Sequence, residues 1–314
     1  MTKYLKLLGF PVLAVILLKT DLDELGRTLA RCRPELVAAA LGATVAAIAI
    51  KAVRWNLMLR AQGHRYPMPR TALVYFAGIY IGVATPGRLG ELARVLYVKR
   101  DLGIDAGNGL SSIVVDRLMD LYALVAIGLV ACLRFEIAGR FSAVFLVLVG
   151  ALAAAPLLLL NPRIGRWFVR GALGGLARRK FAKVLAEGAE GFFSGIERLA
   201  SPRLAGSALL TIASYLVLFC AGWLLARSLA IEISFWDAAL VLGSANLLAL
   251  IPVTVAGVGT RDAVFIFAFA ALSLSEAEAL GFSALVLAVF YLGSGLAGLS
   301  CFLAYRPPVE DDLG

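Results

Sequence analysis

Thr85-Pro86-Gly87-Arg88-Leu89-Gly90-Glu91 interrupts an apolar run in the first third of the chain, and Ile251-Pro252-Val253-Thr254-Val255-Ala256-Gly257-Val258-Gly259-Thr260-Arg261-Asp262 interrupts another near the C-terminal end. Each interruption has a Pro, then Gly, then an Arg and an acid. Proline removes a backbone donor and glycine loses the most entropy in a helix, so both break helices. A broken helix at membrane depth is tolerated only where it is buried in protein or lines a cavity. Paired breaks in corresponding positions of two halves point to a binding site between them. The helix-breaking residues are Pro86, Gly87 and Gly90 in the first stretch and Pro252, Gly257 and Gly259 in the second.

The surrounding chain is what makes membrane depth relevant. It has 314 residues, 61% of them hydrophobic and 16% charged, with a mean hydropathy of +0.88. A soluble domain is about a quarter charged. Residues 141–160, 204–226 and 279–305 carry no charge at all, and ~20 apolar residues suffice to cross a bilayer as a helix. The runs are continuous rather than alternating, which excludes a transmembrane β-barrel. The expected fold is all-α: a polytopic helical membrane protein with about six full transmembrane spans and two oppositely oriented re-entrant helical hairpins, in an inverted-repeat-like arrangement. Residues 1–314 read as a single membrane-embedded domain.

The net charge of +9 would suggest nucleic acid in a soluble protein. Here the excess lies between hydrophobic spans, where it sets topology and meets lipid headgroups, so no nucleic-acid partner is expected. Cys32, Cys132, Cys220 and Cys301 are far apart and His64 stands alone, so neither a metal site nor a disulfide framework is implied. Lys3 and Lys6 followed by an apolar run resemble a signal peptide, but charged residues rather than a small-residue cleavage site follow, and the segment reads as a retained first span.

Along the chain, the expected spans are residues 4–18, 34–53, 110–133, 141–160, 204–230 and 279–305. Residues 19–33 alternate acids and bases, as in a short interfacial helix. A basic loop is expected at 54–70, with Arg54, Arg60, Arg65 and Arg70, and with Trp55 and Tyr66 as interface anchors. The short apolar piece 71–85 ends at the first break, and its continuation carries Arg88, Glu91, Arg94, Lys99 and Arg100. That limb cannot cross lipid, so it turns back as a hairpin. Residues 236–251 and 262–275 form the second hairpin.

Residues 161–203 hold nine Lys/Arg against three Glu and are placed in the cytoplasm by the positive-inside rule. Trp167, Phe168, Phe181, Phe192 and Phe193 make this segment amphipathic, suited to the membrane surface. Counting spans outward from it puts both termini in the cytoplasm and makes the two hairpins enter from opposite faces. The expected location is the cell inner membrane.

Ionisable residues inside a span cost at least ~2.5–3.5 kcal/mol each, so they face a cavity and pair with one another. Asp116 and Asp120 are one helical turn apart on one face, with Arg117 directed about 100° away. Arg88, Glu91 and Arg94 can share one side of the return limb, and Arg261 and Asp262 begin the second. The candidate substrate-binding and translocation residues are therefore Arg88, Glu91, Arg94, Asp116, Arg117, Asp120, Arg261 and Asp262. Helix N-termini after the breaks attract anions, and arginine suits a phosphate. The acids balance the arginines or receive a cationic headgroup or a proton. The competing reading is a set of buried ion pairs that only fix helix register. Asn246 reads as interhelical glue, the small-residue patterns from Gly293 to Gly298 as packing motifs, and Tyr75, Tyr80 and Tyr291 as aromatic packing.

These residues carry a family resemblance. Arg54-Trp55, then Pro86-Gly87-Arg88-Leu89-Gly90-Glu91-Leu92-Ala93-Arg94, then Asp116-Arg117-Leu118-Met119-Asp120, then Pro252 through Gly257-Val258-Gly259-Thr260-Arg261-Asp262 resemble, in this order, the transmembrane region of lysylphosphatidylglycerol synthase, the flippase-like domain family. The resemblance covers about residues 5–305. The family usually has Glu where this chain has Asp116 and Asp262, a loss of one methylene of reach with the charge kept. It stops short of the cytosolic aminoacyl-transferase domain of full-length synthases.

The resemblance implies lipid translocation between leaflets. Relatives are associated with aminoacylated phosphatidylglycerol, polyprenyl-linked sugars and hopanoid pathways. The expected function is a lipid flippase or translocase moving an anionic or aminoacylated phospholipid, or a lipid-linked headgroup. Its partner is then a membrane lipid of phospholipid, polyprenyl or hopanoid type, with homo-oligomerisation left open. No P-loop is present and no Ser-His, Cys-His or metal-histidine set, so no enzyme activity, cofactor or metal is expected. Two alternatives remain: a scaffold for a lipid-modifying or glycosyl-transferring enzyme, and an enzyme holding Mg²⁺ between Asp116 and Asp120.

Overall fold

The computed structural model describes residues 32–83, 85–135, 150, 154, 161–167, 179–199, 203–249 and 260–305. The expected first span at 4–18, most of the interfacial helix at 19–33, nearly all of the span at 141–160, the tail after 305 and the second break, with Pro252, Gly257 and Gly259, lie outside the described residues. Among those described, every regular element is helical.

Helix α1 runs Pro34–Ala61, with Pro34 in its first turn and Glu35 beside the positive end of the dipole. Helix α2 (Met68–Val83) leads to a 3-10 segment, Pro86–Ala93, which continues as α3 (Arg94–Leu102). Gly103 closes α3 in the left-handed conformation, φ 63°. Asp105 caps α4 (Ala106–Arg134) by accepting from the Asn108 amide. Then come α5 (Arg179–Leu199), α6 (Arg203–Ser228), α7 (Phe235–Leu248) and α8 (Thr260–Ala271). Helix α9 (Glu276–Val286) opens on a Ser275/Glu278 capping box. It passes through a π-helical stretch, Leu287–Gly293, into α10 (Ser294–Ala304).

Among the described residues, three helical stretches are long and apolar enough to cross a membrane: Pro34–Ala61, Ala205–Ser228 and Glu276–Ala304. Helix α4 has the length, 29 residues, and carries Asp116, Arg117 and Asp120 inside it. Helices α2 and α7 are shorter apolar helices.

The first break folds as a reversal. Thr85 Oγ1 lies 3.1 Å from the Gly82 carbonyl and accepts from the Gly90 amide at 2.7 Å, so one side chain ties the end of α2 to the returning limb. The limb then packs back on α2. A Cβ on Gly90 would lie 2.4 Å from the Ile81 carbonyl oxygen, and one on Gly82 would lie 2.5 Å from Glu91 Cγ. Glycine is required at these crossings because any side chain would push the two limbs apart.

One expectation is corrected. Helix α1 does not end at Val53; it continues to Ala61, and Arg54, Trp55 and Tyr66 are buried rather than interfacial. The apolar period continues through Leu57, Met58 and Leu59, and Arg54 faces partners on other helices. Helix α5 sets a glycine stripe against α4. A Cβ on Gly191 would meet Asp105 Oδ1 at 2.2 Å, and one on Gly195 would meet Ser111 Oγ at 2.2 Å.

Most of the buried apolar residues among those described form two clusters. One gathers α6 to α9 around Phe265, Phe269 and Phe282, and the other gathers α1 to α4 around Trp55, Tyr75 and Tyr97 with Phe302 of α10. Burying these side chains contributes roughly 1.5–3 kcal/mol for each large one in water; within lipid the same surfaces are held by close packing instead.

Candidate functional site

The charged residues of α1, α4 and the first hairpin converge between the two clusters. Arg54 is the hub. Its Nε donates to Asp116 Oδ1 at 2.9 Å and its Nη1 to Asp120 Oδ1 at 2.8 Å, while Nη2 lies 2.6 Å from Asp116 Oδ1. Nη1 also donates to Thr211 Oγ1 of α6 at 2.9 Å. Lys51, one turn earlier on α1, reaches Asp120 Oδ1 at 3.0 Å and lies over the Tyr215 ring, 4.3 Å from its centre. The shared face expected for Asp116 and Asp120 is therefore real, and Arg54 occupies it.

The hairpin supplies the rest. Arg94 reaches Asp116 Oδ2 at 3.0 Å and lies over the rings of Trp55 and Tyr75 at 4.8 and 4.4 Å. Arg117 reaches Glu91 at 3.0 Å, as its direction away from Asp116 implied. Its Nη2 also folds back to within 3.3 Å of both Asp116 and Asp120, and donates to the Tyr75 hydroxyl at 3.1 Å. Arg88 approaches Glu91 only to 4.0 Å. It is the most loosely paired cation of the set and adopts a left-handed backbone, φ 57°, which costs a non-glycine residue roughly 1–2 kcal/mol.

This network forms one wall of a cavity of about 460 Å³. Lys51, Arg88, Glu91, Arg117, Asp120 and Asn246 line it, and Leu118, Leu218 and Phe290 add apolar lining. Arg94 and Asp116 are fully buried behind that wall, and the cavity lining does not include them. A concave apolar site with a few convergent polar groups is the usual form of a ligand pocket. Among the described residues no set of His, Cys, Asp or Glu side chains converges to hold a metal ion.

Among the described residues, the Arg261–Asp262 pair is linked to this network through the Tyr291 ring. Arg261 Nη2 lies 3.2 Å from Asp262 Oδ1 and donates to Ser283 Oγ at 3.0 Å, and Ser283 Oγ donates to Asp262. The Arg88 and Arg261 guanidiniums each lie 5.4 Å from the centre of the Tyr291 ring. Tyr291 belongs to the π-helical stretch and also lines the cavity. Such stretches are uncommon and concentrate at functional sites.

With this arrangement in place, similarity to known proteins is informative. Residues 5–298 match the lysylphosphatidylglycerol synthase transmembrane region. The chain belongs to that family. It is also 21% identical to a UPF0104 membrane protein of Methanocaldococcus jannaschii, over 99% of this chain and 96% of that protein. This member of the synthase transmembrane family is thus an integral membrane protein, and its apolar helices are membrane helices.

Six of the eight candidate residues meet in one network: Arg88, Glu91, Arg94, Asp116, Arg117 and Asp120. Among the described residues, Arg261 is linked to it by way of Tyr291, with Asp262 beside Arg261. Sequence reading missed Lys51 and assigned Arg54 to a loop. The signal was available, since Lys51 and Arg54 sit at i, i+3 in a helical period that continues beyond them. Asn246 and Tyr291, read as glue and packing, line the cavity.

Proposed function

We propose that this chain carries a lipid headgroup between leaflets, the headgroup passing through the charged cavity while the acyl tails remain in lipid. The observation behind this reading is the cavity itself, where Arg88 and Glu91 of the first hairpin and Arg117 and Asp120 of α4 share one wall. Buried structural ion pairs would fill their own space with packed aliphatic side chains; these pairs border a void large enough for a phosphate headgroup. The substrate is an anionic or aminoacylated phospholipid or a lipid-linked headgroup.

On this reading the first reversal is a re-entrant hairpin entering from the cytoplasm. The 236–275 region forms its inverted counterpart, beside about six full spans. Both termini are cytoplasmic and the protein sits in the inner membrane. Movement is downhill or ion-coupled, with no catalytic step.

The test is reconstitution into liposomes with fluorescent phospholipids. Lipid exchange should exceed that of empty liposomes, and Arg88→Ala and Glu91→Gln should slow it at least tenfold. Failure to move any lipid under any gradient, or full activity in both variants, would overturn the proposal.

A further inference from the structure

Among the described residues, the charges around the cavity do not balance. Among the described residues, Lys51, Arg54, Arg88, Arg94 and Arg117 face Glu91, Asp116 and Asp120, which leaves two positive charges in surplus. Arg261 and Asp262 beside them cancel. The other polar groups on the packed elements, Tyr75, Thr211, Tyr215, Asn246, Tyr291 and Ser294, carry no charge at neutral pH. The undescribed stretch 250–259, which follows Ala249 of the cavity lining, contains no acidic residue. Charge of one sign in a low-dielectric wall is costly unless a counter-charge joins it.

The surplus is also placed where a ligand can reach it. Arg54 and Arg94 are sealed, with no side-chain exposure, whereas Lys51, Arg88 and Arg117 border the void. Among the described residues, Arg88 has its carboxylate partner only at 4.0 Å, and Nε of Arg117 is buried with no hydrogen-bond partner.

We infer that the cavity is matched to a dianionic phosphate monoester, seated between Lys51, Arg88 and Arg117. This inference rests on the translocation reading and narrows its ligand. A phosphate monoester carries about −1.5 to −2 at pH 7 and neutralises the surplus. A phosphodiester headgroup leaves one positive charge, and an aminoacylated headgroup with net positive charge adds to the repulsion.

The experiment uses the purified full chain in detergent at physiological salt. Binding of phosphatidic acid, phosphatidylglycerol and lysyl-phosphatidylglycerol is compared by native mass spectrometry. Phosphatidic acid should bind at least tenfold tighter than phosphatidylglycerol, and the lysylated lipid should not displace it. Lys51→Gln should erase the preference and Lys51→Arg should keep it. Arg88→Gln, which leaves the Arg54 pairs untouched, should erase it in a folded protein even if the Lys51 variant fails to fold.

Equal or tighter binding of either other lipid, or a retained preference in folded Arg88→Gln, overturns the inference. Inorganic phosphate displacing phosphatidic acid supports headgroup recognition. Inorganic phosphate binding while phosphatidic acid does not would mark a free-ion site and overturn the lipid assignment. Liposomes that move phosphatidylglycerol without any monoester preference would sink this inference and leave translocation standing. Monoester binding without lipid movement would do the reverse.

Discussion

Arg54 of α1 and Asp116 of α4 meet at 2.6 Å with neither side chain exposed to solvent, which makes this pair the joint between the first long apolar helix and the charged one. A buried pair is weak evidence of net stabilisation, but removing one partner strands the other and costs about 3–5 kcal/mol. In a chain of this size that corresponds to a fall in Tm of roughly 5–20 °C. Arg54→Met and Asp116→Leu should each show such a fall in detergent thermal-unfolding scans. The double variant should lose clearly less than the sum, because neither charge is then left alone. Additive losses would show that the two residues do not act as a pair.

Arg88 combines strain with a loose ion pair. Arg88→Gly should therefore raise thermal stability by about 1 kcal/mol, by relieving the left-handed backbone, while reducing lipid exchange at least tenfold. Parallel unfolding scans and liposome assays on the same preparation would check both. A variant that is less stable, or equally active, contradicts the assignment of strain to function.

The reversal depends on glycine at a close approach. Gly90→Ala sets a Cβ 2.4 Å from the Ile81 carbonyl, a backbone atom that cannot swing away, and should cost about 1–3 kcal/mol. Gly42 lies in α1 with nothing within 4 Å of the added carbon, so Gly42→Ala should be neutral or stabilising by up to ~1 kcal/mol. Unfolding scans on the pair separate steric closure from helix propensity.

Asp101, at the end of α3 and outside the spans, clasps the last helix. It accepts from the hydroxyls of Tyr66 and Tyr305 and from Arg100 Nε. Burial works to raise its carboxyl, but hydrogen bonds from Arg100, Tyr66 and Tyr305 outweigh it and hold the group below its ordinary value. A depressed carboxyl contributes stability that is fully present above the unfolded value, ~3.9, and lost as pH falls through the folded one. The Tm difference between the parent and Asp101→Asn should be constant from pH 7 to about 5 and shrink in more acidic buffer. A difference that grows on acidification would reverse the assignment.

The membrane class, the positions of most described helices and the first reversal were legible because each has a local cause. Apolar run length marks spans and Pro-Gly marks breaks. Asp116 and Asp120 could be put on one face from helical period alone. The partners of those acids could not be read the same way. Arg54 stands 62 residues from Asp116 in sequence, and whether it sits in a loop or a core depends on where α1 stops. That point is set by packing against α4, α2 and the loop before α2, because Trp55 and Asn56 find partners in Ser112, Thr71 and Tyr66.

What the sequence alone determined, then, was a helical membrane protein with charges buried at its breaks, since hydropathy, period and helix-breaking chemistry act over a few residues at a time. Only the tertiary structure decided that Lys51 and Arg54 join those charges, that Arg88 and Arg261 share the Tyr291 ring, and that Arg88, Glu91, Arg117 and Asp120 border a void while Arg94 and Asp116 lie behind it. Helix-on-helix packing brings together residues that no local pattern relates, and the space left between two separately packed apolar clusters has no signature along the chain.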